Sequence, residues 1–180
     1  MYTKMSKLAV AIGTLMVASS AMAQSSATAS GDASARVIVP ITIAKDVALN
    51  FGNVVASAAG GTVLLTPSGV VTPTGVTIPA TQKGTQTAAT FKVTGETLFT
   101  YAITLPSSSV NLTDGATSPN TMAVGSFTVA AGTNGSVSAA VGTLTAGGLG
   151  DLNVGATLTL GANQVAGTYA GTFPVTVAYN

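Results

Sequence analysis

Asp32, Asp46, Glu96, Asp114 and Asp151 are the whole acidic complement of this sequence. Paired carboxylates serve general acid and base catalysis, and clustered ones hold cations. The spacing here supports neither use. Each of the five lies in or beside an expected turn or tail, where a short acid usually accepts hydrogen bonds from nearby backbone. No D-x-D-x-D-G run marks a calcium loop. The sequence has no His and no Cys, so the commonest general base and the thiol nucleophile are missing. Gly147, Gly148 and Gly150 make a Gly-rich run, but no strand-to-helix pattern surrounds it, so it does not read as a phosphate cradle. The expectation is a protein that is not an enzyme, with no cofactor and no metal site.

Two other kinds of chemistry deserve a test. Tyr101, Tyr169 and Tyr179 are aromatic groups of the kind that line sugar sites, but they fall on the apolar faces of alternating stretches, where core packing is the better reading. Asn111, Leu112 and Thr113 match a glycosylation acceptor pattern, a weak signal alone. Loss of Lys4 and Lys7 with a leader peptide shifts the formal net charge from +1 to −1. No basic stripe for nucleic acid and no polybasic patch for a membrane surface remains.

The elements that must position any site begin after a processing signal. Lys4 and Lys7 supply a positive start, residues 8–17 an apolar core, and Ala21, Met22 and Ala23 a small-x-small cleavage site. Residues 1–23 are therefore expected to be a signal peptide, too short to anchor in a bilayer. Export follows, to the periplasm and then the cell surface or beyond. Residues 24–33 form a small, polar, flexible tail, and residues 34–180 form one domain. Charged residues are 6% of the chain, against about 25% in an average domain. With no cysteine to staple it, the domain must hold by packing and backbone pairing.

Side chains of a strand alternate between two faces, and that period recurs throughout. In residues 34–43, Val37, Val39, Ile41 and Ile43 share one face; Pro40 removes a ladder donor, which suits an edge or a bulge. Lys45 and Asp46 read as a charged break before a short strand at residues 47–52. Residues 85–94, 99–105 and 152–160 alternate, the last placing Leu152, Val154, Ala156, Leu158 and Leu160 together. Residues 169–179 read as one half-buried strand, with Tyr169, Phe173, Val175, Val177 and Tyr179 on the apolar side. Asp114 with Gly115, and Asn134 with Gly135, favour tight turns. No apolar period near 3.6 follows the leader. The expected fold is all-β, an antiparallel β-sandwich.

The two ends carry a resemblance. Leu49, Asn50, Phe51 and Gly52, together with GTYAGTFPVTVAYN over residues 167–180, resemble the archaic chaperone–usher pilins among bacterial fimbrial subunits and the related spore-coat-protein-U-like secreted domains. The chain also looks like a family of uncharacterised bacterial exported domains with the same termini. The closing pattern is the more specific of the two. The resemblance implies an incomplete immunoglobulin-like sandwich completed by a donor strand from another copy, giving a head-to-tail polymer. It also implies a periplasmic chaperone, an outer-membrane usher, and a fimbrium that serves adhesion or biofilm. Carried over, the donor residues are Val37, Val39, Ile41 and Ile43, and the acceptor strand is Tyr169, Phe173, Val175, Val177 and Tyr179. Many such pilins have a disulfide that this chain lacks. Residues 34–43 also run almost directly into the next strand. The alternative is that they are the domain's own first strand, in a self-complete secreted module that binds a surface glycan or protein.

Overall fold

The computed structural model describes residues 26–138 and 140–180. Residues 1–23 lie outside that range, as do Gln24 and Ser25 of the tail. Residues 26–36 are exposed and have no regular secondary structure. The compact unit is Val37–Asn180, and no helix occurs among its described residues.

Eleven strands build it among the described residues. They are β1 (Thr42–Val47), β2 (Gly61–Leu65), β3 (Val71–Thr74), β4 (Ala89–Thr94), β5 (Thr100–Thr104) and β6 (Val110–Thr113). Then come β7 (Thr121–Ala131), β8 (Ser136–Ser138), β9 (Val141–Thr143), β10 (Leu149–Leu160) and β11 (Thr176–Tyr179). Every pairing is antiparallel. One sheet has seven strands and the other four, in the order β11-β5-β9-β8. The fold is an antiparallel β-sandwich.

The hub is β10. One of its edges pairs with β7, while the other pairs first with β4, through Leu149 to Val154, and then with β2, through Ala156 to Leu160. Leu152, Val154, Ala156, Leu158 and Leu160 share the inner face as the alternation requires, and all are buried. Removing one such Leu side chain from water is worth about 2 kcal/mol. A bulge in β7 sets two residues, Ser126 and Phe127, opposite Ala156. Ser126 adopts φ 50° there. The extra residue lets Val124 and Phe127 both face inward although their spacing is odd.

The core has two parts. Val93, Leu152, Tyr101, Ile103 and Leu144 join the two sheets face to face. Phe51, Val63, Leu65, Val124, Ala156, Leu158 and Leu160 form the other part, and no residue of the four-stranded sheet packs on it among the described residues. There the cover is loop. We call these the Tyr179 end and the Tyr169 end of the sandwich.

Three strand expectations need correction. Residues 169–179 are not one strand: only Thr176–Tyr179 is, with an isolated bridge from Ala170 to Thr113. Pro174 has no N–H to place in a ladder. The first strand starts at Thr42 rather than Ser34, and it runs through Lys45 and Asp46. Asp46 is tolerated because it sits on an exposed edge beside Lys92, 3.2 Å away. The expected strand at residues 47–52 is reduced to a single bridge from Asn50 to Thr87.

Candidate functional site

The most distinctive feature is a seam between two unfinished edges. Strand β1 pairs only with β4, and β11 only with β5, among the described residues. The hydrogen-bond phase of β11 decides what its free edge presents. Asn180 donates its N–H to the Thr100 carbonyl, at 3.4 Å, while Ile103, opposite Val177, turns its own N–H to Ala140. The even residues therefore bond β5, and Val177 and Tyr179 direct N–H and C=O away from it. Upstream, Ala170 exchanges both backbone bonds with Thr113, each 2.9 Å. The same phase thus extends back along the segment, and so does the burial: Tyr169, Phe173, Val175, Val177 and Tyr179 are half-buried, while the even positions from Ala170 to Asn180 are exposed. Pro174 falls in the even phase, so its missing N–H does not subtract from the open edge. A row of unpaired backbone groups beside an apolar face is a template for another strand.

Beside this edge, at the Tyr169 end, lies a groove of about 770 Å³. Its walls are residues 49–56 and 164–171, and Leu112, Met122, Leu158 and Leu160 line it between them. The first wall is pinned by Phe51, which is buried in the core, and by Asn50, whose backbone bonds Thr87 both ways at 2.9 Å. Asn50 Oδ1 also accepts the Gly52 N–H at 2.8 Å. Gly52 has φ 74°, and a Cβ there would overlap the Lys83 carbonyl, so the position requires glycine. That is the physical content of the L-N-F-G stretch: two plugs, a local bond and a turn. The second wall is held by Gln164, which donates to the Thr121 carbonyl at 3.2 Å and to the Tyr169 hydroxyl at 2.9 Å. Tyr169 in turn donates to the Val165 carbonyl at 2.7 Å.

Phe173 stands midway along the seam. Its ring meets Phe127 at 4.9 Å and Phe91 edge-on at 6.1 Å, which links the two parts of the core. At the far end Tyr179 packs edge-on against Phe99, with centroids 5.6 Å apart. Its hydroxyl accepts the Glu96 N–H and donates to the Val39 carbonyl at 2.8 Å. Glu96 Oε2 accepts the Val39 N–H at 2.9 Å.

The candidate donor residues divide into two pairs. Val37 and Val39 are 96% and 55% exposed. Ile41 and Ile43 are half-buried and pack on the same core as Val175, Val177 and Tyr179. Ile38, rather than Val37 or Val39, is the half-buried member of its stretch, so the four residues do not share one face here. Tyr169 lines the groove; Phe173, Val175, Val177 and Tyr179 line the seam beyond it.

Asp46, Glu96, Asp114 and Asp151 have structural partners. Asp114 accepts bonds from the Asn120 side chain at 2.6 Å and from the Ala116 and Asn120 amides. The Asn120 side-chain bond, then the Ala116 amide, hold its pKa below the ordinary 3.8. Asp151 is in β10, not a turn; it accepts the Asn134 amide and side chain, at 3.1 and 2.7 Å, and so fixes the turn after β7. Burial, and secondarily the Asp151 charge, push the Tyr101 hydroxyl above its ordinary pKa. No group of three metal-ligating side chains occurs among the described residues. The seam contacts of Glu96, Asn50 and Gln164 had no signal in the sequence beyond an exposed-looking polar residue near a turn.

Residues 41–179 match the family model DUF4402, a domain of unknown function, and the chain belongs to that family. The match begins at Ile41, which leaves Val37 and Val39 before it. No curated protein and no solved structure matches the chain.

Proposed function

We propose that this DUF4402 domain is a structural subunit of a bacterial surface fibre, joined head to tail by exchange of an N-terminal strand and contributing to adhesion or biofilm. The observation that carries the reading is the outward-facing row of backbone groups on residues 169–179 beside a groove lined by both apolar and polar residues. That arrangement accepts one more strand. The immunoglobulin-like sandwich is incomplete in this reading, and a second copy finishes it.

Direction follows from topology. The chain enters the sandwich beside Tyr179, because Val39 bonds that residue. The groove lies at the opposite end. A segment leaving one copy at its Tyr179 end meets the next copy at its Tyr169 end, and so runs antiparallel to β11. Residues 37–43 supply the plugs: Val37 and Val39 are already exposed, and Ile41 and Ile43 transfer from their own core in the manner of a domain swap. A contact of this kind does not close on itself and grows a filament. Export through a leader, a periplasmic chaperone that covers the groove, and an outer-membrane usher complete the reading, all drawn from the resemblance to fimbrial subunits.

Ile41 and Ile43 also favour a second reading. Because they pack in their own sandwich, the module can be self-complete and bind a surface glycan or protein as a monomer. Negative-stain electron microscopy of the exported protein separates the two. Fibres from the wild type, and folded monomers from Val37→Asp, are the expected outcome. The Val37 side chain is too exposed for that change to unfold the domain. Equal fibres from Val37→Asp would sink the strand assignment, and monomers alone from both proteins would leave the binding module.

A further inference from the structure

Val39 is held in an unusual way. Its N–H and its C=O are both bonded, yet not by a strand: Glu96 Oε2 takes the first and the Tyr179 hydroxyl takes the second. No ladder holds the chain before Thr42, and Pro40 has no N–H to offer. Val39 is therefore a point attachment that lies three residues ahead of the sheet. The two holding groups are themselves fixed. Glu96 is 7% exposed, and its own N–H bonds the Tyr179 hydroxyl, so carboxylate, backbone and phenol form one closed set. Phe99 packs against the tyrosine ring. Gly95 leaves room for the hydroxyl, which a Cβ at that position would overlap.

We propose that Glu96 and Tyr179 form a backbone clamp on Val39 that keeps residues 37–43 docked on their own sandwich. Opening the clamp is the step that frees this segment for a second copy; this last clause rests on the strand-exchange reading above. The geometry assigns the two residues different tasks. Glu96 needs only an acceptor oxygen for the Val39 amide. Tyr179 needs a hydroxyl that accepts from one segment and donates to the other. The clamp grips backbone, so it is indifferent to the side chain at 39 and fixes position along the strand instead. It also joins segments 140 residues apart, the two whose edges form the seam. While it is closed, the seam is shut at the Tyr179 end and open at the Tyr169 end.

The test is amide hydrogen exchange, read by NMR on the chain without residues 1–23. Tyr179→Phe and Glu96→Ala are expected to speed exchange at Val39, Ile41 and Ile43 by about threefold to tenfold, the range for one or two lost hydrogen bonds. The amides of Leu152 and Val154 in β10 should keep their wild-type rates. Glu96→Gln retains an acceptor oxygen and should restore protection at Val39. Passage of a labelled N-terminal segment between copies should accelerate by a similar factor in the first two variants. Unchanged exchange at Val39, or an equal rise in β10, would overturn the clamp, since the second result marks an ordinary stability contact. Loosening at Val39 with no passage between copies in any variant would uphold the clamp and overturn strand exchange, so the two failures are distinguishable.

Discussion

The two ends of this sandwich use one seven-stranded sheet and cover it differently. At the Tyr179 end a second sheet closes over Val93 and Leu152, and Tyr101, Ile103 and Leu144 reach down to meet them. At the Tyr169 end the same β10 continues through Leu158 and Leu160, but loops and a groove stand where strands would be. In the first region the second sheet covers the inner face of β10. In the second, apolar floor and unpaired edge coexist. The difference teaches that one strand can be buried in two ways: its first half under a second sheet, its second half under loops that border a groove.

The largest expected effect breaks the comparison at its strong side. Leu152→Ala removes a fully buried side chain between two sheets, and it should destabilise by about 2–5 kcal/mol. Met122→Ala is the counterpart in the groove. Met122 is only half-buried and borders open space, so its loss should cost about 1 kcal/mol or less. Urea unfolding of both variants gives the ratio. Equal losses would mean that the groove is packed as tightly as the sheet interface, and the division between the ends would be wrong.

Much of this division was legible in the sequence, and its failures are instructive. The inner face of β10 follows from alternation alone, because a continuous strand between two neighbours keeps its period. The L-N-F-G wall was visible for the same reason that it works: Phe51 must be buried and Gly52 must turn. Alternation could not show where a strand stops pairing. Residues 169–179 have the right faces throughout, yet only Ala170 and the last four find a strand partner, because pairing depends on a neighbour that is far away in sequence. The bulge at Ser126 was also silent, since an extra residue in β7 leaves no mark on composition. Lys45 and Asp46 misled because charge suggests a break, whereas on an exposed edge it suits a strand. The clamp was beyond reach: Glu96 looked like a turn residue, and its partners lie 57 and 83 positions away.

Alkaline pH probes the closed end with a smaller effect. Tyr101 is 1% exposed, and burial, then the Asp151 charge, raise its pKa above 10.0. The folded state therefore keeps a proton that the unfolded state has lost. This group's effect is absent below pH 10, and stability falls as pH rises from there toward the folded pKa, by at most about 1.4 kcal/mol per pH unit. Tyr101→Phe should flatten that slope. The test is urea midpoints for both proteins between pH 9 and 11; parallel slopes would remove Tyr101 as the cause.

Acid probes the open end, with the smallest effect. Asp114 follows β6 directly, and Thr113 before it carries both bonds to Ala170 in the groove wall. The Asn120 side chain, then the Ala116 amide, lower the Asp114 pKa below 3.8. A carboxylate depressed in the folded state adds stability that is full above the unfolded pKa, about 3.9, and is lost as pH falls through the folded value. Asp114 is only half-buried and sits in a surface turn, so the consequence is local rather than global. Between about pH 4 and 2 the turn after β6 should loosen, and the Thr113 and Ala170 amides should exchange faster while the β10 amides hold. Asp114→Asn should show the loosened turn already at neutral pH and no further change in acid. If Thr113 and Ala170 remain as protected as β10 at pH 2, the wall is held from elsewhere, and the open end is stiffer than its missing strand implies.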